Sequence, residues 1–152
     1  MTQEGFDMSY HVKDYMTREV VTTDCDATVS EAAKIMAADK EFEGYVIVLE
    51  KGKPVGILTE RDIISKVVAK DLDPSKIKAS EVMSSPLVTI GPDEDLLKAS
   101  DLMRQSNIHK LVVVKDNIIY GVITSRLIAR RASDYVDRSV RDIIRWTAPL
   151  GM

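Results

Sequence analysis

The chain is poor in the residues that staple or metallate small proteins. Among its 152 residues is one cysteine, Cys25, so no internal disulfide can form, and its two histidines, His11 and His109, lie far apart. With neither a CxxC pair nor an HExxH helix, no metal site is expected. The common phosphate loops and nucleophile elbows are missing too: GxxxxGK[ST], GxGxxG and GxSxG do not occur. Nor does any convergent set of nucleophile, base and oxyanion donors appear, so an enzyme is the least expected class. Long apolar runs are also lacking. Stretches such as Tyr45-Val46-Ile47-Val48-Leu49 fall far short of the roughly 20 residues that cross a bilayer. Met1 to Tyr10 contain no apolar signal-peptide core. A soluble cytoplasmic protein with a reduced, structural Cys25 is expected, with no membrane partner. The formal net charge of −3 gives no general pull toward nucleic acid.

What is present repeats itself. Hydrophobic residues make up 45% of the chain, enough for a core without staples. Val12-Lys13-Asp14-Tyr15-Met16 is answered by Ala79-Ser80-Glu81-Val82-Met83, a step of 67 from Met16 to Met83, and Val21-Thr22 by Val88-Thr89 at the same step. Val29, Ala32, Ala33 and Met36 fall at i, i+3, i+4 and i+7, one face of a helix, and recur as Leu96, Ala99, Ser100 and Met103. The step then shortens to 65. Val46-Ile47-Val48 matches Leu111-Val112-Val113, and Gly56-Ile57-Leu58-Thr59 matches Gly121-Val122-Ile123-Thr124. Each copy reads as strand, helix, strand, strand, helix, with Lys51-Gly52-Lys53 or Asp116-Asn117 turning between the last two strands. The closing helices start near Glu60 and Ser125, with apolar faces that include Ile63, Ile64, Val67 and Leu127, Ile128, Ala132. Pro74 in Asp71-Leu72-Asp73-Pro74 blocks a continuing helix and marks a linker. Val140-Arg141-Asp142-Ile143-Ile144 echoes the opener a third time and predicts a closing helix. The organisation is an N-terminal tail (1–10), repeat 1 (11–70), linker (71–78), repeat 2 (79–136) and a C-terminal helix and tail (137–152). A unit of about 60 residues is marginal alone, so two are expected to share a core, with the groove between them a natural ligand place.

Two glycine-to-threonine runs in register, Gly56-Ile57-Leu58-Thr59-Glu60-Arg61-Asp62 and Gly121-Val122-Ile123-Thr124, together with two Met-ending openers, resemble the CBS domain family, named for cystathionine beta-synthase. The resemblance covers roughly residues 10 to 130. It implies an α+β fold of two tandem CBS repeats, β-α-β-β-α each, packed with pseudo-twofold symmetry as one module. It further implies pairing into a homodimeric disc of four repeats. A regulatory ligand is implied, such as AMP, ADP, ATP or S-adenosylmethionine, with no prosthetic group. The chain leaves no room for an enzyme domain, so the responding effector is expected to be another polypeptide.

By the same resemblance Thr59 and Asp62 face the groove, with the carboxylate accepting from both ribose hydroxyls, a role suited to an acceptor-only group. Thr59 to Asp62 is equally a T-x-x-D capping pattern that satisfies free amides at a helix start. Both readings stand on the sequence. The second copy keeps Thr124 and puts Leu127 where the acid belongs, which predicts two unequal grooves. His109 and Lys110 match positions that contact phosphate in some nucleotide-sensing members; otherwise they are a loop residue and a solvated strand start. Gly44 and Tyr45 are candidates for adenine approach or stacking, and Ile57 for flanking the base. Arg126, beside Thr124, stands at the mouth of the second groove. Arg130, Arg131, Arg138, Arg141 and Arg145 read as a solvated face balanced by Asp134, Asp137 and Asp142, or as a phosphate rim or partner surface. Trp146 packs back on its domain or anchors a partner. The competing function is a constitutive scaffold with vestigial grooves. Nucleic-acid binding is not expected from an acidic chain without an aromatic–basic stripe.

Overall fold

The computed structural model describes residues 10–41 and 43–132. Two three-stranded sheets, each with its own helices, make up two compact units: Glu19–Thr89, and the residues up to Arg18 together with those from Ile90 on. The expected α+β architecture of two like repeats is thus realised.

In the first sheet β1 (Thr22–Asp24) runs parallel to β2 (Tyr45–Glu50), which pairs antiparallel with β3 (Lys53–Thr59). Between β1 and β2 lies α2 (Val29–Ala38). The second sheet repeats the order with β4 (Thr89–Ile90), β5 (Lys110–Lys115) and β6 (Ile118–Thr124), and with α5 (Leu96–Ser106). Both hairpins turn through two residues of positive φ, Lys51 with Gly52 and Asp116 with Asn117, the tight-turn geometry that matches strand twist. Both carry a bulge at the same place, after Val48 and after Val113. Closing helices follow: α3 (Glu60–Ile63), which runs on as a π-helical turn over Ile64–Val68, and α6 (Ser125–Ala132).

The openers are single helical turns, α1 (Val12–Tyr15) and α4 (Ala79–Val82), a detail the strand-and-helix reading did not contain. Each sits in the compact unit of the other sequence copy. The segment after α4 bridges β3 through Ile57 N–H to Ser84 O (3.1 Å) and Ser84 N–H to Ile57 O (2.8 Å). The segment after α1 does the same to β6 through Thr17 and Val122 (2.9 and 3.0 Å). Sequence repeat and packed unit are therefore offset by one opener.

The core of the Glu19–Thr89 unit gathers Val29, Ala32 and Met36 from α2, Val46, Val48 and Leu58 from the hairpin, Val67, and Ala79 and Val82 from α4. The α2 stripe read from the sequence thus faces inward, Ala33 only partly. Ile64 does not: it is 61% exposed, because the π-helical turn that begins there rotates it off the core face. The 71–78 linker is no free tether. Ile77 O and Pro74 O accept the first two amides of α2, from Val29 (2.8 Å) and Ser30 (3.0 Å), while Thr28 and Glu31 form a capping box at the same end. The closing helix expected at 140–144, Trp146 and the arginines from Arg138 on lie outside the described residues. No described helix is long and apolar enough to cross a membrane.

Candidate functional site

The end of β3 delivers Thr59 to the N-terminus of α3. The Thr59 hydroxyl accepts from Asp62 N–H (3.2 Å), and Asp62 Oδ2 accepts from Thr59 N–H (3.0 Å) and from the Thr59 hydroxyl (3.1 Å). The capping pattern is thus a formed capping box. Capping does not exhaust the carboxylate. Asp62 is only 5% exposed, and its second oxygen accepts from the Ser84 hydroxyl (3.0 Å) and the Lys66 ammonium (2.9 Å). A carboxylate offers about four lone-pair directions, and all four are taken. Lys66 also donates to Val82 O at the end of α4 (3.0 Å), so one ammonium joins the π-helical turn, the acid and the opener.

Lys66 and Ser84 are the two residues that sequence reasoning missed. The i, i+4 spacing of Asp62 and Lys66 was a signal for the first. Ser84 is 22 positions away and reaches Asp62 only because the opener returns to β3, which no local pattern announces.

Gly44 adopts φ +71°, and a Cβ there would stand 2.8 Å from the Glu60 carboxyl carbon; Gly44 O also accepts from Glu60 N–H (3.1 Å). Gly44 is therefore held at the mouth of α3. Tyr45 corrects the stacking expectation: its side chain is 2% exposed, and burial together with Asp39 and Glu43 pushes its phenol well above the ordinary range. The ring is buried and offers no face to an adenine. Ile57 is half-buried, with its backbone committed to Ser84.

The remaining candidates belong to the other unit. Thr124 is buried, and its hydroxyl accepts from Leu127 N–H (3.0 Å), so the helix start is capped there without an acid. Leu127 is buried in the core. Lys110 opens β5 opposite Thr124, and Arg126 is exposed on the first turn of α6. His109 is exposed, its Nδ1 3.3 Å from the Ser125 hydroxyl. Both line a cavity of about 460 Å³ whose other walls include Met103, Arg104, Ile108 and Ile128. Arg131, at the position matching Lys66, donates to Asp14 O (3.1 Å) and Met16 O (3.2 Å) and so ties α6 to α1, the opener packed in its unit. The basic tie is common to both units. The acid is not.

Asp24, Cys25 and Asp26 hold ligand-type atoms within 4.8 Å of one another, but Asp26 pairs with Lys78 (3.3 Å) and Asp24 accepts from Asp26 N–H (2.9 Å). Burial and the neighbouring Asp26, Asp24 and Glu50 push the Cys25 thiol up, away from the reactive thiolate.

Comparison with known proteins matches the CBS domain twice, over residues 12–69 and 79–134. The chain is 38% identical over 112 residues to the CBS domain-containing protein YhcV of Bacillus subtilis, covering 74% of this chain and 78% of that one. It is 35% identical over 117 residues to the uncharacterized protein MK0525 of Methanopyrus kandleri, 76% of this chain but only 59% of the relative's length. Among solved structures it resembles a hexameric CBS-CP12 protein from bloom-forming cyanobacteria, with a TM-score of 0.74 and 28% identity over 91% of this chain and 78% of that one.

Proposed function

Because the chain belongs to the CBS domain family, as a pair of CBS repeats, we propose that it is a regulatory module that takes an adenine nucleotide or a related adenosyl ligand at the Thr59–Asp62 corner and thereby modulates a partner protein. The observation that carries this reading is the contrast between the two helix starts. Thr124 caps α6 alone with Leu127 in the acid's place, so the fold does not require a carboxylate there. Asp62 keeps a nearly buried charge at the matching position, and a carboxylate on a strand-to-helix corner is suited to two ribose hydroxyls. A half-buried Ile57 and the backbone of Gly44 stand beside it for the base.

Thermal melts against AMP, ADP, ATP and S-adenosylmethionine test the reading. One ligand is expected to raise the melting temperature, since a ligand at 100 times its Kd adds about 2.7 kcal/mol. If none moves the melt, the reading fails. What then remains is a constitutive scaffold, which the internal saturation of Asp62 and the loss of the acid at Leu127 favour.

The second part of the proposal is a homodimer. On the π-helical turn Ile64 and Val68, four residues apart, are 61% and 62% exposed, and Leu72 in the loop beyond it is 48% exposed. The α5–α6 cavity offers an apolar floor of Met103, Ile108 and Ile128. Arg104 lines the cavity and pairs with Asp101 (2.7 Å), while Glu60 opens the helix that runs on into the exposed turn. The exposed apolar residues of one copy are proposed to pack against the apolar cavity face of a second copy. Ile64→Glu is expected to yield monomers in light scattering coupled to size exclusion, where the unaltered protein elutes as a dimer. A dimer unchanged by Ile64→Glu rules this face out.

A further inference from the structure

The same oxygen of Asp62 that faces Lys66 and Ser84 has no lone pair left for a ligand. Of its four donors, Thr59 N–H and the Thr59 hydroxyl belong to the capping box and sit on Oδ2. The other two, Ser84 Oγ at 3.0 Å and Lys66 Nζ at 2.9 Å, converge on Oδ1. A vicinal diol presents two O–H donors to a carboxylate, which is the complement Oδ1 already has. Resting on the nucleotide reading above, we propose that Ser84 and Lys66 act as a built-in competitor for the ligand, so that an adenosyl ligand binds by exchange and these two residues set its affinity.

Three observations fit the exchange. Lys66 does not depend on Asp62 to be held, because it also donates to Val82 O, as its counterpart Arg131 holds to Asp14 O and Met16 O where no acid is present. It is half exposed, so its ammonium can regain water as the acid turns away. Ser84 keeps its place through two backbone hydrogen bonds to Ile57 whether or not its hydroxyl is bound. Neither donor has to unfold anything to let go. The exchange also has a direction of output. Ser84 follows the end of the opener that leads on to β4, so a ligand that takes Asp62 releases a side-chain latch on the segment between α4 and β4. A ligand acts only through such a difference between two states.

The consequence runs against the usual effect of trimming a binding site. Ser84→Ala removes one competitor without touching the backbone bridge, and affinity for the adenosyl ligand is expected to rise about threefold to tenfold, the worth of one net hydrogen bond. Titration calorimetry with AMP and with S-adenosylmethionine, on folded protein verified by circular dichroism, reads this directly. Lys66→Met, titrated with adenosine so that no phosphate contact enters, is expected to shift affinity the same way. Tighter binding in Ser84→Ala, or binding that appears only in it, supports the exchange. Binding by the unaltered chain with equal or weaker binding in both variants overturns the competitor while leaving the nucleotide reading intact. No binding by any of the three proteins overturns both.

Discussion

Gly121→Ala is expected to destabilise the protein by about 3 kcal/mol or more, a fall in melting temperature of roughly 10 °C for a domain of this size. The cause is a backbone approach. Thr17 and Val122 exchange hydrogen bonds, which brings the chain after α1 flat against β6. A Cβ on Gly121 would collide with the Thr17 carbonyl oxygen and carbon and stand 3.1 Å from Met16 Sδ. A carbonyl already bonded to Val122 cannot swing aside, so either the opener lifts from the sheet or the strand does. Gly56→Ala meets the matching segment more gently. Its nearest neighbour is Met83 Sδ at 2.5 Å, the end of a flexible side chain, with Ser84 O at 2.9 Å. A thioether can repack, so about half the loss is expected there. Urea or thermal melts of the two variants check both the size and the order. Equal and small losses would mean that the openers are not pressed on the sheets.

That pair of glycines shows how far the sequence could be read. The repeat, the hairpins and the helical stripes were legible because each depends on neighbours within a few residues: continuous β-branched apolar runs in β2 and β5, tight turns at Lys51-Gly52 and Asp116-Asn117, the 3.6-residue period of α2 and α5. The glycine of each Gly-to-Thr run was visible as part of a motif, but its reason was not. It is the approach of an opener from the other sequence copy, a long-range contact with no local signature. Ser84 was hidden for the same reason. Ile64 was read as inward because a regular helical period was continued across Ile64–Val68, and the π-helical turn breaks that period. Tyr45 looked like a stacking candidate because it aligns with Lys110 of the second copy, yet its ring is buried.

The site itself is best tested by exchanging the two helix starts. Asp62→Leu gives the first corner the chemistry of the second, and the chain is expected to fold because Thr59 can cap α3 as Thr124 caps α6. Lys66 retains Val82 O and is half exposed, so no charge is left stranded. Adenosyl binding, by contrast, should fall by about a hundredfold or more, the loss of two charge-assisted hydrogen bonds, each worth about 1.5–3 kcal/mol, less their overlap. This separates ligand from fold more cleanly than Asp62→Ala, which leaves a hole among Thr59, Ser84 and Lys66. Leu127→Asp is the converse. The donors that hold Asp62 have counterparts around Leu127: Thr124 for Thr59, Arg131 for Lys66, and Thr17 for Ser84. Burying a new carboxylate there is expected to cost stability, about 1–3 kcal/mol, because the partners compensate only part of its desolvation. If an acid is all that the second corner lacks, calorimetry on Leu127→Asp shows a second binding event beside the first. If Asp62→Leu binds AMP and S-adenosylmethionine as the unaltered chain does, the carboxylate is a cap and a latch and nothing more.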